Sequence, residues 1–167
     1  NRIVTTAEKP TRNKAIFLAS TNIGGVEIRI GRLFTELYGR DKSVYLVTHQ
    51  VLAKKLEATG IPLAKCWDRV LLFDTKEPEA LDGFFRRKVT YFRWMAKGVS
   101  FVRHHGFKSV YLACNGVTLG VPLFFVPGVR TIVAHTIPNL SATGMPWLNR
   151  VQLVLWLNLC DRIDVLN

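Results

Sequence analysis

Short apolar runs and longer amphipathic stretches alternate along this chain. Runs rich in branched and aromatic side chains read as buried strands at Ala15–Ala19, Val44–Val47, Val70–Phe73, Ser109–Cys114 and Thr131–Ala134, with a short last one at Ile163–Leu166. Helical patterns fill the gaps at Val26–Tyr38, Gln50–Ala58, Pro78–His104, Val117–Phe124 and Pro146–Leu159, where Pro78 and Pro146 suit a first turn. In the first helix Val26, Ile30, Leu33, Phe34 and Leu37 share one side, Arg29, Arg32 and Glu36 the other, and Gly39 is placed to stop it. Strands separated by helices favour parallel pairing through right-handed crossovers. The expected fold is therefore α/β: a doubly wound, mostly parallel sheet of about six strands with helices on both faces, in one Rossmann-like domain over residues 14–167 behind a polar, flexible arm at residues 1–13.

The stretch "LDGFFRRKVTYFRWMAKGVSFV" carries a second pattern. At 100° per residue Leu81, Phe84, Phe85, Val89, Phe92, Met95, Val99 and Val102 form a stripe that predicts core. Arg86, Arg93 and Lys97 lie on the other side, beside Trp94 and Phe101, with Arg87 near Trp94. Two readings stand. One is a solvated basic face whose aromatics another element covers; the other is a helix lying in an anionic membrane headgroup layer.

Charge sharpens the second reading. The net charge is +11, yet no acidic residue occurs from Gly83 to Cys160, where nine Lys and Arg residues fall. Such a surface attracts acidic lipid headgroups, phosphorylated substrates or nucleic acid. Nucleic acid is the less favoured partner, because no reading motif accompanies the charge. The same interval excludes paired-carboxylate chemistry and leaves histidine as its main titratable group. At 167 residues, with 49% apolar and 21% charged, the chain has the composition of a single folded domain. Its longest apolar run, "VQLVLWLNLC", is too short to span a bilayer and is closed by Asp161. Cys66, Cys114 and Cys160 form no CxxC pair and read as core filler in a reducing cytoplasm, and the adjacent His104 and His105 point to different sides of a helix, so no metal site is expected.

In a sheet of this kind, ligands bind beyond the carboxyl ends of the strands. Those ends carry Thr21-Asn22-Ile23-Gly24-Gly25, Thr48-His49, Asn115-Gly116 and His135-Thr136. The glycine pair is neither GxGxxG nor a Walker loop. It admits two readings: a turn that needs positive φ, or a loop kept bare so that a phosphate can approach the amides of the following helix. His135 and His49 each end an apolar strand and can be satisfied structurally by backbone groups, and Asn115 can cap the next helix.

"NIGGVE" after the first strand, followed by "IRIGRLFTELYGR", resembles the N-terminal, acceptor-side domain of family-four glycosyltransferases with the GT-B fold. "VYLACNG" resembles that family's fourth strand, "RTIVAHTIPN" the next strand ending in a histidine, and "CDRIDVLN" the last strand before the domain crossover. The likeness runs from about Lys14 to Asn167. It implies a retaining enzyme that moves a sugar from a nucleoside-diphosphate sugar to an acceptor, and the basic half of the chain suits an anionic or lipid-linked acceptor at the cytoplasmic face of a membrane. In it, a C-terminal domain, absent from this chain, holds most of the donor. No cofactor is then bound by this domain alone. Gly24 and Gly25 would admit the donor diphosphate, His135 would meet the donor sugar as the catalytic candidate, and Glu27 and Asn115 would contact donor or acceptor. Thr136 stands where an acidic residue is common in the family. Independently of the likeness, the pattern of the long helix makes Arg86, Arg87, Arg93, Trp94, Lys97 and Phe101 the membrane or anion contacts. The alternative is a non-catalytic, basic Rossmann-like module for phosphorylated ligands or nucleic acid.

Overall fold

A computed structural model of the chain describes residues 13–73, 84–113, 127–136 and 160–165, with positions 154 and 158; the side chains of 84–88, 91, 131–136 and 162–165 are outside that description. The strands are β1 (Lys14–Leu18), β2 (Val44–His49), β3 (Val70–Phe73), β4 (Ser109–Ala113), β5 (Thr131–Thr136) and β6 (Arg162–Val165). The helices are α1 (Gly25–Arg40), α2 (Gln50–Ala58) and α3 (Phe84–His105), with a 3-10 helix at Leu63–Arg69 that the apolar pattern does not announce. The strands lie in the order β3-β2-β1-β4-β5-β6, and every pairing is parallel.

Alternation along β1 explains the layering. Ile16 and Leu18 face Ile30 and Phe34 of α1 and Leu52, Ala53 and Leu56 of α2 in one cluster. Ala15 and Phe17 face Trp94 and Val102 of α3 in another, which also holds Phe73, Phe107 and Leu112. Both faces of a parallel strand are thus buried, which is why β1 reads as a continuous apolar run rather than an alternating one. The expected helix at 117–124 lies outside the described residues, as do Cys114 and all of the expected helix at 146–159 except positions 154 and 158, which are helical.

Helix ends are fixed by different devices. Gly106, at φ +61°, follows α3, and the N–H of buried Phe107 reaches back to the carbonyl of Val102 at 3.2 Å. Gly60, at φ +86°, closes α2 in the same way, with Ile61 N–H on Leu56 O at 3.3 Å. A left-handed residue there is what glycine alone adopts without strain. Gly39, by contrast, does not stop α1. That helix runs on to Arg40 and ends at Asp41, whose N–H bonds Leu37 O at 2.7 Å. The Asp41 carboxylate accepts from Lys14 Nζ at 2.7 Å and from both the N–H and the hydroxyl of Ser43, tying the end of α1 to the start of β1. The Lys14 and then the Ser43 hydrogen bonds hold this carboxyl far below the ordinary range.

α3 corrects the predicted stripe. Val89 is 50% and Phe92 65% exposed, whereas Trp94 is only 2% exposed. The buried side runs through Thr90, Trp94, Gly98 and Val102, about one residue's rotation from the predicted one. Gly98 is the reason. A Cβ there would lie 3.2 Å from Phe17 Cε1, so the bare position lets the helix settle on the ring, and Trp94 then stacks flat on Phe73 with centroids 5.4 Å apart.

Candidate functional site

The strand order reverses between β1 and β4, and the segment leaving β1 at that point is Ala19–Gly24. Its shape is set locally and from one neighbour. Ser20 Oγ accepts from Asn22 N–H at 3.2 Å and donates to Asn22 O at 3.0 Å, and Lys55 of α2 donates to Thr21 O at 2.8 Å. Thr48 of β2 donates its hydroxyl to Leu18 O at 3.0 Å. The exposed stretch Asn22–Gly25 is thus carried on a buried, hydrogen-bonded base.

Neither glycine of the pair needs positive φ. Gly24 is extended, at φ −144° and ψ −173°, and caps α1 by offering its carbonyl to Ile28 N–H at 3.1 Å, without a side-chain cap. Gly25 begins the helix, so the turn reading of the pair is corrected. Space explains Gly24: Glu27 Oε2 would lie 3.0 Å from a Cβ built on it, so the carboxylate folds over the bare position. An acid in a first turn is favoured there by the helix dipole. Gly25 is different, since nothing among the described residues lies within 4 Å of its Cβ. Among the described residues no contact requires Gly25 to be bare. The first amides of α1, which lack intrahelical partners by geometry, open at the same point.

His49 ends β2 and is structural. It is buried, its Nδ1 accepts from Val51 N–H at 3.1 Å to cap α2, and its ring lies 5.0 Å from that of Trp94. β5 is longer than predicted and includes His135 and Thr136, paired with Asp164 and Val165. Leu18 pairs with Ala113 and Leu112 with Ala134, so the backbone of His135 stands level with the end of β1. Two strand spacings put it roughly 10 Å from β1 along the same edge. The side chains of His135 and Thr136, and Asn115 altogether, lie outside the described residues, as do the side chains of Arg86 and Arg87.

The proposed lipid-facing set on α3 divides. Arg93 is exposed and Lys97 half-exposed, with its Nζ 5.8 Å from the Phe101 ring centroid. Trp94 is core, and Phe101 is half-buried against Phe73 at 6.2 Å, so neither can be the exposed aromatic of that face. Val89 and Phe92 hold that position instead. A glycine inside a long helix was the available signal, because it marks the side of closest approach. His104 and His105 have ring centroids 5.1 Å apart; His105 stacks on Phe107, and its pKa is lowered by burial and then by His104. No group of three His, Cys, Asp or Glu able to hold a metal occurs among the described residues, and no described helix is long and apolar enough to cross a membrane.

The described residues thus form an α/β fold with an all-parallel sheet and a bare, anchored loop at the strand-order reversal. Comparison with protein-family models, curated proteins and solved structures gave no match.

Proposed function

We propose that this chain is the doubly wound, six-stranded, acceptor-side domain of a retaining GT-B glycosyltransferase. It works with a C-terminal donor-binding domain to move a sugar from a nucleoside diphosphate to an anionic or lipid-linked acceptor at the cytoplasmic membrane face. The observation that carries the reading is Gly25: a glycine with ordinary φ, no neighbour among the described residues within 4 Å of its Cβ, and a place at the N-terminus of α1, which has no side-chain cap, beside the strand-order reversal. A bare position that no contact among the described residues explains is suited to a partner arriving from outside. Helix amides and dipole match the diphosphate that takes up negative charge as the glycosidic bond to the donor breaks. Glu27 borders that opening, and His135, on the same edge, would meet the donor sugar, with Asn115 and Thr136 as further contacts.

The test is Gly25→Val in the protein that joins this domain to its donor-binding half. A Cβ at this position meets nothing among the described residues, so the melting temperature should stay close to that of the parent. The kcat/KM for the nucleotide sugar should fall at least about tenfold, since close approach of the diphosphate is blocked. A folded variant with parental kcat/KM refutes the proposal.

A further inference from the structure

The outer arc of α3 joins large exposed apolar groups to charge of a single sign. Val89 and Phe92 lie one turn apart and are exposed, and Ala96, Ser100 and Arg103 continue the arc. Arg93 stands beside the apolar pair, Lys97 on its flank, and the whole helix contains no Asp or Glu. Helical rise makes the arc from Val89 to Arg103 about 21 Å long, enough to lie flat on a surface.

We propose that this arc docks on an anionic phospholipid surface, with Phe92 and Val89 entering the boundary between headgroups and acyl chains while Arg93 and Lys97 meet the lipid phosphates. The inference rests on the surface of α3 alone and stands apart from the transferase reading. Charge complementarity selects the occupant: a row of cations with no interspersed carboxylate repels a cationic partner and draws an anionic one. The apolar pair then favours lipid over nucleic acid, since an aliphatic side chain one turn from a phenyl ring gains by entering hydrocarbon, whereas base stacking would use the ring alone. Burial of Trp94 leaves Phe92 as the aromatic wedge and Trp94 as part of the rigid floor beneath it.

The test uses the whole 167-residue chain. It should sediment with phosphatidylcholine vesicles containing roughly a quarter phosphatidylglycerol, bind pure phosphatidylcholine weakly, and be released as salt rises from about 0.1 to about 0.5 M. Phe92→Ser should weaken binding at least about tenfold at unchanged near-UV circular dichroism. Arg93→Gln should weaken it about fivefold and flatten the salt dependence. In Phe92→Trp the added fluorescence should shift to the blue on anionic vesicles. Absence of vesicle binding overturns the proposal, as does parental affinity in Phe92→Ser. It is also overturned if Phe92→Ser abolishes tighter binding to a labelled oligonucleotide, or if it dissociates a dimer seen by light scattering. Should Phe92→Ser lose its fold, the Phe92→Trp emission decides, and an unshifted spectrum on vesicles overturns the docking.

Discussion

α1 and α3 cover opposite faces of the same sheet, and their sequences disclose their orientation to very different degrees. In α1 the polar positions are charged and segregated, and the predicted Ile30 and Phe34 are indeed its deepest side chains; only Leu33, at 38% exposed, strays from the expected stripe. In α3 apolar residues spread over roughly two-thirds of the circumference, wider than one buried face, so amphipathicity alone does not say which part of that arc is core. Its orientation is chosen by one glycine and one indole, at Gly98 and Trp94. Where the hydrophobic pattern is ambiguous, the closest backbone approach decides.

Loss of the indole should be the most damaging change on α3. Trp94→Ala should destabilise the protein by about 3–5 kcal/mol, whereas Phe92→Ala on the same helix should stay within about 0.5 kcal/mol of the parent, both read from urea unfolding. A larger loss from Phe92→Ala than from Trp94→Ala would mean that the predicted stripe, with Phe92 in the core, was correct. A smaller effect tests α1 by the same logic. A Cβ at Gly31 would lie 3.0 Å from Ile61 Cδ1, so Gly31→Val should cost about 1–3 kcal/mol, while Gly39→Ala, which meets nothing within 4 Å, should raise stability by about 0.5–1 kcal/mol.

The smallest effect concerns how α1 is tied down. Asp41→Asn should cost up to about 1 kcal/mol at neutral pH, because Asp41 and Lys14 are both partly exposed and water screens their attraction. Its pH dependence has a definite sign. The folded carboxyl titrates below the unfolded one, so the contribution is complete above the unfolded value of about 3.9 and is lost as pH falls from there toward the folded value. The gap in melting temperature between parent and variant should therefore be wider at pH 6 than at pH 3. A gap that widens on acidification would remove Asp41 from this role.

Strand positions were legible because burial on both faces writes long apolar runs, as at Ala15–Leu18 and Val44–Val47. The last two residues of β5 were not, since His135 and Thr136 are polar and their place in the ladder comes from pairing with β6. The 3-10 helix at Leu63–Arg69 escaped for a related reason: it follows Pro62 with only Leu63 and Cys66 buried, too short a pattern to show a period. At the site, the sequence placed the glycines on the correct edge. Their reason for being bare required coordinates, because neither a carboxylate folded over Gly24 nor open space at Gly25 leaves a trace in the local sequence. Lys55 was equally hidden, since its bond to Thr21 O spans 34 positions.

The central position of β1 also has a consequence for synthesis. One of its edges pairs with β2, which follows closely, but Lys14 on the other edge pairs with Ser109, 95 positions later by subtraction. At ribosomal speeds of about 5–20 residues per second, β4 is made roughly 5–20 s after β1. During that interval a half-sheet of β1, β2 and β3 under α1 and α2 can assemble, yet it presents an open strand edge and an uncovered Phe17, whose cover in α3 is translated later still than β3. A nascent chain in that state offers a template for another copy of itself, and slowing translation between β3 and β4 should increase aggregation.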